Sequence, residues 1–297
     1  MKTNVFYLHA LSALHVGVGQ AVGAVDLPIA RCRATNLPLV PGSAVKGVLR
    51  DEFQADEQHL LFGPETITDA ESAHAAALAF GDAHLLVFPV RSMAGIVAFV
   101  SCPFVLERYA NDLRRTGKTD LPEIPEPGTN ALATNDTVLK LSGNRIVLED
   151  LDFSFSPGAE KWAGYLAKAI YPNASTNPAD QDQKSKDKAR THFQKRFLIL
   201  NDDDFAFLAD TATEVRARIR IDDDRGVVQK GALWYEENLP AESVLWGMMA
   251  ASPSRMKSKA LDAEAVWALF KEQIHGERLL QIGGKATVGR GLVRFIQ

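Results

Sequence analysis

Apolar and polar positions change their spacing along this chain from a period of two to a helical period, and each change marks a predicted element. Residues 214–221 carry the clearest signal: Val215, Ala217, Ile219 and Ile221 alternate with Glu214, Arg216, Arg218 and Arg220. A strict period of two predicts a strand with one face packed on the core and three arginines in a row on the other. Those arginines suit either a solvated sheet face or a cationic contact surface. Residues 222–226 read as the turn and 231–235 as part of the returning strand. Near the amino end, residues 5–14 are apolar-rich and bounded by Gly17 and Gly19, which predicts a central strand. The loop over 19–42, broken by Pro28, Pro38 and Pro41, is longer than an inert connection usually is. Ser43 then reads as the N-cap of a helix whose apolar positions Val45, Val48, Leu49 and Phe53 recur at helical spacing. Lys46 and Arg50 share its other face.

Further strands are predicted at 84–89, 95–101 and 244–248, with closing strands near Leu279 and over 292–295. Helices are predicted over 104–113, entered through Pro103, and over 263–270. Residues 116–144 have the composition of a long excursion outside the core. Residues 171–190 read as a mobile surface loop or as a segment that a partner orders. The acidic runs at 202–204 and 222–224 read as solvated turns. Strands and helices alternate without regular crossover helices, so an α+β class is expected in preference to a doubly wound parallel sheet.

Composition narrows the class. Hydrophobic residues at 46% and charged residues at 24% make an ordinary globular balance, which excludes a disordered or collagen-like chain. No apolar run approaches the roughly 18 residues of a membrane span, so no membrane partner is expected. The two cysteines, Cys32 and Cys102, are too few for a disulfide framework, and the start carries no leader-like segment. Both features point to a reduced, cytoplasmic protein. The net charge of −4 does not exclude nucleic acid, because the cations cluster beside glycines and binding depends on where charges lie.

Three segments carry candidate chemistry. Residues 283–291, Gly-Gly-Lys-Ala-Thr-Val-Gly-Arg-Gly, combine close backbone approach at Gly283 and Gly284 with the charges of Lys285 and Arg290. They suit a phosphate chain, or simply a tight turn; the pattern of a nucleotide-binding P-loop is absent. Residues 41–50 place Ser43, Lys46 and Arg50 near a helix amino terminus, which suits an anion or an ordinary solvated helix face. Residues 14–31 hold His15 before a glycine turn, then Asp26 between apolar neighbours in a proline-fixed loop, then Arg31.

Taken in order, His-Val-Gly-x-Gly, Val-Asp-Leu-Pro-Ile-x-Arg, Pro-Gly-Ser-x-x-Lys-Gly-x-x-Arg and Gly-Gly-Lys-Ala-Thr-x-Gly-x-Gly resemble the RAMP superfamily of CRISPR proteins. Within it, the chain resembles the repeated backbone subunit of the type III-B Cmr effector complex. Phe80-Gly81-Asp82-Ala83 and Gly231-Ala232-Leu233-Trp234-Tyr235-Glu236-Glu237 add support. The resemblance implies one elaborated domain over 1–297: an RRM-like (ferredoxin-like) palm with inserted finger and thumb elements. The active-site loop would be 19–42, an insertion 116–144, and the thumb region 171–236.

It also implies partners and chemistry. Copies would stack head to tail on a guide CRISPR RNA, beside other Cmr subunits, and cut a complementary target RNA at regular intervals. Ser43, Lys46, Arg50, Gly283, Gly284, Lys285 and Arg290 would meet the guide, mainly through its phosphates. Arg216, Arg218 and Arg220 would face the target or a neighbouring subunit. Asp26 matches the family's catalytic aspartate, as a base or as ligand to a divalent metal, Mg²⁺ or Mn²⁺. His15 is expected as an acid or proton shuttle and Arg31 as a phosphate contact. Two alternatives stand beside this reading: a non-catalytic scaffold on the guide, and an endonuclease that processes precursor guides.

Overall fold

The computed structural model describes residues 1–20, 25–67, 73–173, 181–222, 225–256, 258–274 and 276–297. From the amino end the chain forms β1 (Lys2–Ala10), β2 (Leu39–Val40), α1 (Gly42–Asp51), α2 (Ala55–Phe62), β3 (Leu78–Phe80), β4 (Ala83–Ser92) and β5 (Ile96–Ser101). Next come α3 (Pro103–Arg115), β6 (Asn130–Ala133), β7 (Arg145–Leu148), β8 (Leu151–Pro157), α4 (Glu160–Ile170), α5 (Gln181–Gln194) and β9 (Phe197–Ile199). The last third adds α6 (Asp202–Thr211), β10 (Glu214–Ile221), β11 (Val228–Asn238), β12 (Val244–Ala251), α7 (Ala263–Gln273), β13 (Glu277–Gln281) and β14 (Leu292–Ile296). This is the expected α+β mixture. The chain clusters into two compact units: Met1–His84 with Thr213–Ala241 and Leu245–Gln297, and Leu85–Ala212 with Glu242–Val244.

In the first unit the strand order is β13-β14-β1-β12-β4, and only Ala83 and His84 of β4 belong here. β14 runs antiparallel to both β1 and β13, so the carboxyl-terminal strand lies beside the amino-terminal one. The core is aromatic. Phe6 stacks on Phe295, Phe62 on Phe80, and Phe53 on Phe270 of α7. Each fully buried ring contributes about 1.5–3 kcal/mol relative to exposure. The helix predicted behind a Ser43 cap has its cap two residues earlier, and Ser43 is exposed and lies within its first turn. Instead Pro41 occupies the cap position, and the Gly42 N–H donates to Asp82 Oδ1 at 2.8 Å. A tertiary carboxylate thus does what a local side chain usually does.

The second unit pairs its strands in the order β4-β5-β9-β6-β8-β7, and Ser92 opposite Leu148 joins β7 back to β4. Three expectations fail here. The 116–144 stretch is not wholly outside the core: it supplies β6, and Ala131, Ala133 and Leu139 are buried. A four-residue strand of small side chains has no periodicity to read. Within 171–190, residues 181–190 belong to helix α5, while 174–180 lie outside the described residues. That helix has no apolar stripe; Phe193 anchors it by stacking on Phe99 and Phe197. Asp202, Asp203 and Asp204 are not a turn but the first turn of α6, where they complement the helix dipole, with Asn201 as the cap. Of the 222–224 run, residues 223 and 224 lie outside the described residues.

β10 and β11 form a separate two-stranded antiparallel ribbon. The strand predicted over 214–221 is present with those limits, but its apolar face is not packed on a core. Val215, Ile219 and Ile221 are each about half exposed. Alternation specifies two faces; it does not specify what covers either. Among the described residues, no helix is long and apolar enough to cross a membrane.

The close approach at Gly42 makes a test of the first unit. A Cβ there would lie 2.3 Å from the Phe80 carbonyl oxygen and 2.8 Å from Gly81 backbone atoms. Gly42→Ala should therefore destabilise by about 1–3 kcal/mol, read as a lower urea midpoint at unchanged slope.

Candidate active site

The site is built on consecutive residues of β11. A strand sends neighbouring side chains to opposite faces, so Glu236 and Glu237 point apart, and both are buried. Glu237 collects the amino-terminal loop. Its Oε1 accepts from Arg31 Nη2 at 2.6 Å and from Thr213 Oγ1 at 3.0 Å, and its Oε2 accepts from the Ile29 N–H at 3.1 Å. Its backbone carbonyl accepts from His15 Nδ1 at 2.7 Å. The Leu27 N–H donates to the Tyr235 carbonyl and the Glu237 N–H to the Leu27 carbonyl, so Leu27 bridges β11 in parallel register. Asp26 is fixed by that pairing. Its Oδ2 accepts from the Tyr235 N–H at 2.8 Å, and Oδ1 has no hydrogen-bond partner among the described residues.

On the other face, Glu236 accepts from Trp234 Nε1 at 2.8 Å and pairs with Lys285 at 2.9 Å and Arg218 at 3.1 Å. Burial alone would raise its carboxyl. The hydrogen bonds from Trp234, Lys285 and Arg218 and the Lys285 charge outweigh burial and bring it to about 2. Lys285 reaches this carboxylate from a left-handed backbone position, φ 69°, in the glycine-rich stretch. Two glycines beside it pack that stretch against other backbone. A Cβ on Gly283 would lie 2.4 Å from the His15 carbonyl oxygen, and one on Gly291 2.2 Å from that of Ile282. The Gly284 N–H donates to the His15 carbonyl.

Between these elements opens a cavity of about 460 Å³ whose lining includes Gln20, Asp26, Arg220, Trp234 and Lys285. Arg220 sits where the ribbon register shifts: Ile219 faces Leu233, but Ile221 faces Val228. One residue of β10 is thus opposed by residues 229–232 of β11, and Gly231 takes φ 77°. Bulges of this kind re-aim side chains beside active sites.

The structure brings Asp26, Arg220 and Lys285 together and gives the other expected residues different surroundings. His15 is buried on the Glu237 carbonyl and is not in the cavity lining. Arg31 is committed to Glu237 and to the Asn36 carbonyl, so it positions the loop and does not face a phosphate. Arg50 turns inward to the Gly63 carbonyl. Arg216 pairs with Glu214, and Arg218 pairs with Glu236, so of the expected row only Arg220 faces the cavity. Ser43 is exposed, and Lys46 has no ion pair among the described residues. Arg290 is 9% exposed, with its Nε unpartnered. Sequence reasoning assigned no role to Trp234, Glu236 or Glu237, although the motif 231–237 was the signal.

A divalent ion at Asp26 fits this donor set poorly. Among the described residues no three metal-ligating side chains converge and Asp26 offers one uncommitted oxygen, in a cavity whose lining also includes the cations Arg220 and Lys285. A resident Mg²⁺ or Mn²⁺ held by protein alone does not fit; such an ion would need RNA phosphate oxygens as further ligands.

Two measurements test the clamp. Glu237→Ala removes the carboxylate shared by Arg31, Thr213 and the Ile29 N–H, and should cost about 3–5 kcal/mol in urea unfolding. Glu236 supplies a pH dependence. A carboxyl held below its ordinary value of 4.5 stabilises the fold above that value and loses the contribution as pH falls from 4.5 to about 2. Urea midpoints should decline through that window, and Glu236→Gln should flatten the decline while lowering stability at pH 7.

A sequence model of the RAMP superfamily matches residues 7–294. The chain is 35% identical to the CRISPR system Cmr endoribonuclease Cmr4 of Pyrococcus furiosus, over 99% of this chain and 95% of that protein. It is 25% identical to the CRISPR system CMR subunit Cmr4 of Saccharolobus solfataricus, over 98% and 94% respectively. The crystal structure of oligomeric Cmr4 from Pyrococcus furiosus superposes with a TM-score of 0.72 at 27% identity, covering 100% of this chain and 97% of that one. A chain of the type III-B Cmr-beta complex bound to cognate target RNA shares the fold, with a TM-score of 0.71 at 19% identity over 100% and 97%. The chain belongs to the RAMP superfamily.

Proposed function

We propose that this chain is a repeated backbone subunit of a type III-B CRISPR effector complex, and that it holds guide RNA and cleaves complementary target RNA. The observation that carries the reading is Asp26, which lines a cavity with Arg220 and Lys285 and whose Oδ1 has no hydrogen-bond partner among the described residues. Identity of 35% to a protein named an endoribonuclease, over nearly the whole chain, supports the same activity.

The first unit supports an RRM-like palm: the order β14-β1-β12-β4, with α1 after β1 and α7 after β12, is that of a ferredoxin-like sheet. The β10–β11 ribbon is proposed as the thumb. Lys46 and Ser43 on α1, with Gly283, Gly284 and Arg290 of the glycine-rich stretch, are proposed to meet guide phosphates, whereas Lys285, expected at the guide, is proposed at the target phosphate because it lines the cavity with Asp26. The unpartnered Nε of a nearly buried Arg290 supports an anion there. Phosphate contact holds a guide whatever its sequence. Oligomeric Cmr4 of similar fold supports self-assembly; head-to-tail stacking of copies, beside other Cmr subunits in the cytoplasm, is the arrangement proposed.

The chemistry needs no protein nucleophile. The ribose 2′-OH attacks the adjacent phosphorus, the P–O5′ bond breaks, the departing O5′ takes a proton from solvent water, and the products are a 2′,3′-cyclic phosphate and a 5′-OH. Asp26 Oδ1 takes the 2′-OH proton. Its partner oxygen, fixed on the Tyr235 N–H, holds the carboxylate in place for that transfer. Arg220 and Lys285 balance the charge that builds on the phosphate oxygens.

Asp26→Asn keeps the size of the side chain and removes its charge. Target cleavage should fall about 10²–10⁴-fold, while guide binding, target capture and assembly persist. Wild-type rates in this variant would make Asp26 structural, and an intact target in the wild-type complex would leave the chain a scaffold.

A further inference from the structure

The cavity contains a group that the cleavage chemistry does not use. Of the four tryptophans, Trp162, Trp246 and Trp267 are buried in cores, whereas Trp234 is half-buried and lines the space beside Asp26. Its indole N–H is already satisfied by Glu236 Oε1 at 2.8 Å. Glu236 is itself held by Lys285 and Arg218, so the ring is fixed at its polar edge. What Trp234 has left to offer a ligand is its apolar ring surface.

We infer that Trp234 is a nucleobase-stacking platform, which receives one unpaired base of the target RNA next to the phosphate held by Arg220 and Lys285. The inference rests on the reading of this cavity as the cleavage site. Stacking suits the space because every base has a π-face, so an aromatic ring with no free donor accepts any sequence. An indole with a free N–H would discriminate among bases, which a subunit acting on arbitrary targets has to avoid. Chemistry also gains from the contact. In-line attack needs the 2′-OH, phosphorus and leaving oxygen aligned, and a base drawn out of its stack and held on a rigid ring restrains the ribose beside it. The ring's anchoring is what makes it a platform. Cross-strand Arg218 opposite Trp234 and the salt bridge to Glu236 oppose its rotation.

The test uses the complex assembled on guide RNA, with complementary targets that each carry one abasic nucleotide at a different position. In the wild type, one register of abasic sites, repeating with the cuts, should slow the adjacent cut roughly 10- to 100-fold. Trp234→Ala should slow cleavage of the intact target by a similar factor and make those abasic sites harmless. Trp234→Phe keeps a ring but loses the N–H, and should fall far less. A second readout does not depend on cleavage: intact target should quench tryptophan emission in the Asp26→Asn complex, and Trp234→Phe in that background should abolish the quench. Additive effects of Trp234→Ala and every abasic site, or equal losses in the Phe and Ala variants, would overturn stacking. So would a quench unchanged by Trp234→Phe. A wild-type complex that quenches but does not cut would overturn the nuclease reading and leave the platform standing.

Discussion

The structure around Asp26 depends on one buried carboxylate, Glu237. It gathers an arginine, a hydroxyl and a backbone N–H, while its own main chain takes up His15 and Leu27. Taking such a charge out of water is costly unless its lone pairs are filled, and here they are filled from the amino-terminal loop. The cost of leaving Glu237 unpaired is therefore what ties residues 27–31 to β11. Asp26 follows, because its neighbour Leu27 is in the ladder and its Oδ2 meets the next N–H along. A carboxylate fixed by strand pairing needs no reorganisation when a proton arrives, which is the condition for efficient general-base action.

The period of two in β11 turns this constraint into a division of labour. Glu237 faces the loop and holds the base; Glu236 faces the glycine-rich stretch and holds Lys285. Trp234 lies two residues earlier on the Glu236 side, at the cavity. Two segments far apart in sequence are thus registered against one strand, with tolerances set by contacts of 2.6 to 3.1 Å. The close-packed glycines do the complementary work, since Gly283 and Gly291 leave no space for a side chain against the backbone they touch.

Much of the fold was legible because it rested on local rules. The strand over 214–221, the helix entered through Pro103 and the closing strand at 292–296 follow from alternation, proline placement and apolar runs. β6 and α5 were not legible, since one is too short for a period and the other is held by a single buried phenylalanine. The site divides the same way. Asp26 and Lys285 were marked by their loops. His15 and Arg31 carried the right chemistry in the right loop, yet both are spent on Glu237. Nothing local distinguishes an arginine that meets a phosphate from one that meets a buried carboxylate over two hundred residues away. For the same reason the two glutamates, read as charged strand residues, gave no sign of being the buried core of the site.

Whether β11 acts on catalysis by seating Asp26 is tested most directly by a double-mutant cycle. Single-turnover cleavage would be measured for wild type, Glu237→Gln, Asp26→Asn and the double variant in assembled complexes that bind target equally. If Glu237 works through Asp26, Glu237→Gln slows the wild type but leaves the Asp26→Asn rate where it is. If the two losses instead multiply, Glu237 acts on the reaction by another route, and the account of this site as one seated carboxylate is wrong.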